Sequence, residues 1–313
     1  LQGVMGYYYG MQNGLSPAVC AAIQEHYLPQ GSSTKLPGTD LGTALSFADK
    51  LDTLCCFFGV DIKPTGSGDP YGLRRLALSL IRLIEEKHLH YSIYALADKA
   101  FTQHPKLKTP KQQAIAELIT FLHQRLFVYL RDQGIRVDYI RAVLEEGSQD
   151  ILLIDQIQLT HTLSKFLQTT EGKTLLSGFR RAFNILKEHP LSKEIEGLSL
   201  IATQNSTVET NLEHVRTYLK PLENTIFPTF QETDLYDELT QALLDIQVCL
   251  SQEKKGFHRV LSIYAALSLT VEAFLDTVRI ADKNSALQKQ RVILLKAFVT
   301  LLEALIKLQY IEK

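Results

Sequence analysis

The sequence predicts an all-α protein, and two observations lead to that class. Apolar residues recur at helical spacing along nearly the whole chain, as at Leu118, Leu122 and Leu126. Strict alternation of apolar and polar residues, which is typical of strands, is rare. Because 45% of the 313 residues are hydrophobic, the chain can bury sizeable cores, and its length indicates two or three domains.

Helical spacing, interrupted by glycine and proline, defines the predicted elements in order. The spacing predicts helices over residues 17–27, 40–58, 70–87, 91–101, 111–133, 137–146, 150–167, 175–187, 232–250, 257–267, 271–280 and 285–308. Asp69 is the expected N-cap of the helix over 70–87, with Pro70 at the first helical position. Gly134 is a typical helix stop, and the turn-rich residues 30–38 are expected to form an exposed loop.

Charge and cysteine content exclude several classes of protein. Lys and Arg (33) nearly balance Asp and Glu (34), so a generally basic nucleic-acid coat is excluded and any RNA contact must use local patches. The four cysteines show no C-x-x-C spacing, which favours a reducing, cytoplasmic environment. No signal-peptide pattern opens the sequence and no run of about 18 uncharged apolar residues occurs, so we expect no membrane partner.

A pair of acidic residues marks the helix predicted over 40–58. Asp49 and Asp52 are three residues apart and therefore share one helix face. The two negative charges repel each other unless nearby cations neutralise them. The basic residues nearest in sequence are Lys50, Arg74 and Arg75. We therefore predict a structural charged seam in which the two aspartates form salt bridges to these cations.

Several short blocks in this region carry a family resemblance. They are Ala48-Asp-Lys-Leu-Asp-Thr-Leu54, Pro64-Thr-Gly-Ser67, Asp69-Pro70 and Leu73-Arg-Arg75, preceded by residues 1–6 and 25–29. In this order they resemble the HD-like domain of the β subunit of bacterial glycyl-tRNA synthetase. Arg180-Arg-Ala-Phe-Asn-Ile-Leu186 resembles the start of the family's C-terminal anticodon-binding domain, which is similar to that of arginyl-tRNA synthetase.

The resemblance implies a three-part organisation. An HD-like helical domain is expected over 1–104, a helical linker over 105–170 and a helical-bundle anticodon-binding domain over 171–313. Leu1 falls inside a block that the family has internally, so the resemblance is to the C-terminal part of the β subunit, with the HD-like domain truncated at its N-terminus.

The residues argue against metal-dependent hydrolysis of the kind that gives HD domains their name. That chemistry needs several histidines and a His-Asp dipeptide, and none of the nine histidines precedes an aspartate. His26, Asp49 and Asp52 could meet in space, but they make an incomplete ligand set, so no metal is expected. The loop around Gly66 and Gly68 lacks the P-loop and dinucleotide patterns; it is either a well-capped turn or a holder for one phosphate.

Basic residues supply the candidate RNA contacts. Arg180 and Arg181 adjoin the amide of Asn184, a grouping that suits backbone phosphates and a base edge of single-stranded RNA. The cations of the middle region are spread around their helices, which also fits a solvated, ion-paired surface. The candidate tRNA-binding residues are Lys50, Lys63, Arg74, Arg75, Arg125, Arg131, Arg180, Arg181, Asn184 and Arg291. No nucleophile constellation or H-I-G-H or K-M-S-K-S signature occurs, so no catalytic residues are expected.

The resemblance implies a role in glycine–tRNA ligation. The β subunit is expected to bind tRNA(Gly), with the HD-like domain against the acceptor arm and residues 171–313 at the anticodon. Catalysis, with ATP and Mg²⁺, would belong to the α subunit, whether separate or fused, and no cofactor, DNA or membrane is expected for this segment. Two alternatives stay open: a degenerate HD-domain protein that binds a nucleotide or metal, and an architectural helical scaffold.

Overall fold

The computed structural model describes residues 1–31, 34–104, 106–144, 152–189, 207–252 and 255–312. These residues form thirteen α-helices and no strand; the one β-type contact among them is an isolated bridge between Thr65 and Gly68. The predicted all-α class is therefore confirmed.

The helices are numbered here in chain order. They are α1 (Val4–Gln12), α2 (Pro17–Glu25), α3 (Asp40–Gly59), α4 (Leu73–Glu86), α5 (Ile93–Gln103), α6 (Lys111–Asp132), α7 (Val137–Leu144), α8 (Leu153–Phe166), α9 (Thr170–Glu188), α10 (Val208–Leu219), α11 (Phe230–Ser251), α12 (Phe257–Thr277) and α13 (Ser285–Glu303). Two short 3₁₀ helices follow α10 and α13, at Lys220–Leu222 and Leu308–Tyr310.

The structure differs from the predicted elements at several places. Helices α1 and α10 were not predicted, and α12 is continuous where two helices were expected. Helix α13 ends at Glu303 rather than at residue 308. The predicted end of a helix at residue 146 and the predicted start of the next at 150 lie outside the described residues.

The start of α4 corrects the prediction for Asp69 and Pro70. The helix begins at Leu73, after Gly72 in the left-handed conformation (φ 67°), so Pro70 precedes the helix instead of occupying its first position. Asp69 still caps it, because its carboxylate accepts hydrogen bonds from the N–H groups of Leu73 (2.8 Å) and Arg74 (3.0 Å). The acidic cap therefore acts across a turn of four residues.

Residues 1–134 and 152–157 form the first compact unit, and α3 is its central helix. Helices α2, α4, α5 and α6 all pack against α3. Leu51, Leu54, Cys55 and Phe58 are buried, as their helical spacing predicts. Side chains at the edges of this stripe are consequently held in fixed positions between neighbouring helices.

The described residues within 135–151 and 158–313 form the second unit. Helix α12 packs against α9 and α11, and α10 packs against α13. The approach of α9 to α12 is close, because a Cβ added at Gly178 would lie 2.7 Å from the Cβ of Ser268. The fully buried Tyr264 donates its hydroxyl to the backbone oxygen of Leu301 (2.9 Å). The three-part division expected from the sequence stays a prediction.

Helix α12 is the one described helix that is long and apolar enough to cross a membrane by length and composition. Its most apolar window has a mean hydropathy of 1.4, and 44% of that window is buried. The core helix of a globular unit meets the same criterion, and α12 packs its buried face, which includes Val260, Leu261 and Phe274, within the second unit.

Candidate nucleic-acid interface

The glycine-containing loop before α4 is a compact turn fastened to that helix. Thr65 and Gly68 exchange two backbone hydrogen bonds (3.0 and 2.7 Å), and Gly66 adopts a positive φ of 45°, which glycine tolerates without steric cost. Arg74, in the first turn of α4, donates from its guanidinium to the backbone oxygen of Gly66 (2.7 Å). The guanidinium of Arg74 is therefore held against the backbone of this loop.

Arg125, on α6, lies close enough to Arg74 for their charges to interact. Burial lowers the pKa of Arg125, the positive charge of Arg74 lowers it further, and Asp69 opposes both effects. The Arg125 Nε is buried and has no hydrogen-bond partner among the described residues, while its guanidinium carbon lies 5.8 Å from the centre of the Phe121 ring. Two neighbouring guanidinium groups are suited to an oxyanion such as a phosphate.

Lys63 is engaged with carboxylates. Its ammonium lies 2.6 Å from Asp61 and 2.5 Å from Glu117, and hydrogen bonds to these two acids raise its pKa. A phosphate at Lys63 would have to compete with two negative charges. An anion beside this loop would therefore bind Arg74 and Arg125 more readily than Lys63.

Lys50 has a structural position. Its side chain is 2% exposed, and its ammonium donates to the backbone oxygens of His26 and Leu28 (both 3.0 Å) and to the hydroxyl of Ser46 (2.9 Å). Burial lowers the pKa of Lys50 to about 8, against the opposing charge of Asp49. These bonds tie α3 to the end of α2 and leave the ammonium no surface for RNA.

The predicted salt bridges of the charged seam are corrected by these contacts. Within the described residues, neither Asp49 nor Asp52 forms an ion pair with Lys50, Arg74 or Arg75. Lys50 is buried, so its ammonium must donate to acceptors in direct contact, and these are backbone oxygens and the hydroxyl of Ser46. The actual partner of Asp52 is a histidine that lies 52 positions further along the chain.

That histidine completes a cluster that the sequence analysis missed. His104 Nε2 lies 3.0 Å from Asp52 Oδ1 and 3.3 Å from Cys56 Sγ, and Cys56 Sγ lies 3.9 Å from Asp52 Oδ2. Across the part of the chain that the structure describes, this is the one group of three metal-ligating side chains at such short range, and His26 is not in it. The i, i+4 spacing of Asp52 and Cys56 was the available sequence signal.

In the second unit, Arg180 and Arg181 lie on α9 and have different partners. Arg180 donates to the backbone oxygens of Ile311 and Glu312 (both 3.2 Å) and is half-buried. Arg181 is exposed and forms an ion pair with Asp276 (2.5 Å). Asn184, which follows Arg180 by one helical turn, is also exposed.

Arg291 is buried within the second unit. Its guanidinium donates to Glu232 (2.6 Å), to Asp282 (2.9 Å) and to the backbone oxygen of Arg279 (2.8 Å). The side chains of Arg291 and Glu232 are only 8% and 1% exposed. This arrangement joins α11 to α13 and favours a structural role over the RNA contact expected from the sequence.

Arg131 and Arg75 complete the set of predicted contacts, and both belong to the first unit. Arg131 pairs with the adjacent Asp132 (2.8 Å) near the end of α6, and both side chains are more than half exposed. Arg75 is exposed on α4. An exposed ion pair such as that of Arg131 contributes little to stability, so a ligand can replace Asp132. Arg75 is accessible because its side chain is exposed.

Comparison with known proteins places the chain in a family. The family model described as "Glycyl-tRNA synthetase beta subunit" matches residues 1–145. A protein from Cereibacter sphaeroides named "Glycine--tRNA ligase beta subunit" is 34% identical over 300 residues, which cover 93% of this chain and 39% of that protein. Proteins of the same name from Paracoccus denitrificans and Ruegeria sp. are 34% and 33% identical, each across 94% of this chain and 38% of the relative. The chain belongs to the glycyl-tRNA synthetase β subunit family.

The chain spans about two fifths of the length of these β-subunit relatives. The segment matched by the β-subunit model contains Arg74, Arg75 and Arg125, together with the cluster of Asp52, Cys56 and His104. The residues of the second unit beyond 145, including the α9 arginines, lie outside that model match.

Proposed function

We propose that this chain is a tRNA-binding part of a glycine–tRNA ligase, which holds tRNA(Gly) in the cytoplasm while the α subunit attaches glycine to it. The observation that carries the proposal is the similarity, across 93–94% of the chain, to proteins named as β subunits of that enzyme. In this scheme ATP and Mg²⁺ act at the α subunit, and this chain contributes binding energy.

A first RNA-binding surface is proposed on the first unit. It consists of Arg74, Arg75 and Arg125, beside the loop at Gly66. The proximity of Arg74 and Arg125 supports this assignment, because a phosphate placed beside them would offset the repulsion between the two guanidinium groups. We assign this surface to the acceptor arm, in keeping with the resemblance of its residues to the HD-like domain.

A second surface is proposed on α9, for the anticodon end. Arg181 is paired with Asp276, but an ion pair between side chains that are 41% and 65% exposed contributes only about 0–1 kcal/mol. An RNA phosphate can therefore replace Asp276 at little cost. Asn184 adds an amide able both to donate to and accept from a base edge.

The contribution of these surfaces to ligation is orientation. A tRNA bound at both surfaces loses translational and rotational freedom before the reaction, so less of that cost remains when its 3′ end enters the catalytic site. This contribution needs no catalytic residue on this chain, which agrees with the lack of nucleophile motifs in its sequence.

Binding of glycine tRNA to the full chain, measured over a range of salt concentrations, tests the proposal. The logarithm of the affinity should fall linearly with the logarithm of salt concentration, with a slope that reports several phosphate contacts. Arg74→Glu/Arg125→Glu and Arg181→Glu should each weaken binding at least tenfold and make the slope shallower.

Two exposed cations outside the proposed surfaces serve as matched controls. Lys35→Glu in the first unit and Arg216→Glu in the second change the net charge in the same direction but should alter affinity only slightly. Equal losses in the control and test variants would contradict the assigned surfaces. A chain that binds nucleotides in calorimetry but shows no salt-dependent tRNA binding would instead support the degenerate HD-domain alternative.

A further inference from the structure

The proposed tRNA surfaces make no use of the cluster formed by Asp52, Cys56 and His104. Asp52 and Cys56 lie one turn apart on α3, so the helix itself fixes their separation. His104 lies directly after the last residue of α5. The three ligand atoms, a carboxylate oxygen, a thiol sulfur and an imidazole nitrogen, all lie within 4.8 Å of one another.

We propose that Asp52, Cys56 and His104 form a binding site for a borderline-soft divalent transition metal, of which Zn²⁺ is the natural candidate. Zinc takes thiolate, imidazole and carboxylate ligands, and three protein ligands leave the fourth tetrahedral position to water. Hard cations such as Mg²⁺ prefer oxygen ligands, so a site containing a thiol and an imidazole disfavours them.

The spacing of the three side chains is compatible with this coordination. A tetrahedral Zn²⁺ with bonds of about 2.3 Å to sulfur and about 2.0 Å to nitrogen or oxygen holds its ligand atoms about 3.3–3.6 Å apart. The observed separations are 3.0 Å for His104 and Asp52, 3.3 Å for His104 and Cys56, and 3.9 Å for Cys56 and Asp52. The His104–Cys56 separation needs to change by only a few tenths of an ångström. The two distances to Asp52 are to different oxygens, Oδ1 for His104 and Oδ2 for Cys56, so a small rotation of the carboxylate must bring one oxygen within coordination distance of both partners.

The imidazole of His104 must also reorient for the metal to bind. Cys56 Sγ lies 3.7 Å from His104 Nδ1 as well as 3.3 Å from Nε2, so the sulfur sits beside the ring instead of in front of the Nε2 lone pair. A turn of the imidazole brings Nε2 to face the sulfur and the carboxylate together. His104 has the space for that turn because it follows the helix end and is 26% exposed.

Metal binding also releases a proton. The Cys56 thiol must lose its proton to bind a metal, because the thiolate is the ligand form of cysteine. Zn²⁺ replaces the thiol proton, which passes to solvent as the Zn–S bond forms. Affinity should consequently rise with pH.

The ion would reinforce an existing attachment between two segments. After His104 the chain returns to the end of α3, where the N–H groups of Lys108 and Thr109 donate to the backbone oxygen of Gly59 (2.8 and 3.1 Å). A metal bound to α3 through Asp52 and Cys56 and to the returning segment through His104 joins the same two parts. Its predicted effect is therefore stabilisation of the first unit.

Cobalt substitution provides the test, because a thiolate bound to Co²⁺ gives a charge-transfer absorption that a hydrogen-bonded thiol lacks. The full chain, stripped of metal with a chelator, should bind one Co²⁺ with this absorption, and Zn²⁺ should displace it. Cys56→Ser should abolish the absorption. Asp52→Asn and His104→Ala should each weaken binding at least tenfold, whereas Cys249→Ser, which alters a buried thiol of the second unit, should leave it unchanged.

A second measurement follows folding without relying on the spectrum. Zn²⁺ should raise the Tm of the native chain and of Cys249→Ser, but not that of Cys56→Ser. Absence of the charge-transfer absorption from the native chain, or its persistence in Cys56→Ser, would overturn the proposal and leave the cluster as a hydrogen-bonded group. Neither measurement depends on tRNA, so the metal site and the tRNA surfaces succeed or fail separately.

Discussion

Replacement of Arg291 by methionine should destabilise the second unit without weakening tRNA binding. Methionine keeps an unbranched side chain but removes the guanidinium that bonds Glu232, Asp282 and the backbone oxygen of Arg279. Glu232 would retain the Thr229 cap on its other oxygen, yet its buried charge would lose its counter-ion. The substitution therefore separates a structural role from an RNA contact.

The magnitude follows from burial. Breaking a buried ion pair by removing one partner costs about 3–5 kcal/mol, because it leaves an uncompensated charge. For a unit of this size, each kcal/mol lowers the Tm by roughly 2–4 °C, so we expect a decrease of roughly 6–20 °C. Chemical denaturation should show the same loss as a lower midpoint.

A double-mutant cycle distinguishes a lost pair from general damage to the core. Glu232→Gln removes the buried negative charge, so the double variant should be less destabilised than the sum of the two single variants. Arg291→Met should bind glycine tRNA as tightly as the native chain at temperatures where both are folded. A loss of stability below about 1 kcal/mol, accompanied by weaker tRNA binding, would refute the reasoning and return Arg291 to the interface.

Three further predictions concern the two cores. The pKa of Lys50 is lowered from 10.5 to about 8, so between these pH values the unfolded chain binds more protons than the folded chain. The contribution of Lys50 to the free energy of unfolding should therefore rise with pH, by about 3 kcal/mol in total. Denaturation of the native chain and of Lys50→Met, each at about pH 7.5 and about pH 10, should show this rise in the native chain and not in the variant. Gly178→Ala should lower stability by about 1–3 kcal/mol in thermal unfolding, although alanine favours helices, because its Cβ would meet Ser268; unchanged or increased stability would contradict the close approach of α9 and α12. Tyr264→Phe should cost about 1 kcal/mol by leaving the backbone oxygen of Leu301 without its buried donor, and a neutral result would show that this oxygen finds another partner.

Elements governed by local spacing were predictable from the sequence. The apolar stripes of α3 and α6 follow i, i+4 spacing, and both helices begin and end within a residue of their expected limits. Gly134 ends its helix region in a left-handed conformation, as expected of a glycine stop. These features depend on residues near one another in the chain, so one sequence contains the whole signal.

Elements stabilised by packing were not predictable in this way. Helix α1 carries glycines that hide its pattern, yet α2 packs closely against one of them, because a Cβ added at Gly10 would lie 2.9 Å from the Sγ of Cys20. Helix α12 continues through Ser268, which lies between the two helices predicted over 257–267 and 271–280. Its hydroxyl bonds the backbone oxygen of Tyr264 (2.8 Å), which satisfies it inside the helix.

The sequence by itself determined the all-α class, the family and the set of basic residues that could meet RNA. Only the tertiary structure decided that Lys50 and Arg291 are buried while Arg75 and Arg181 are exposed, and that His104 joins Asp52 and Cys56. The physical reason is range. Helical periodicity depends on residues three or four positions apart in the sequence. The partner of a charged group or of a metal ligand depends on how segments tens of residues apart pack in the folded chain.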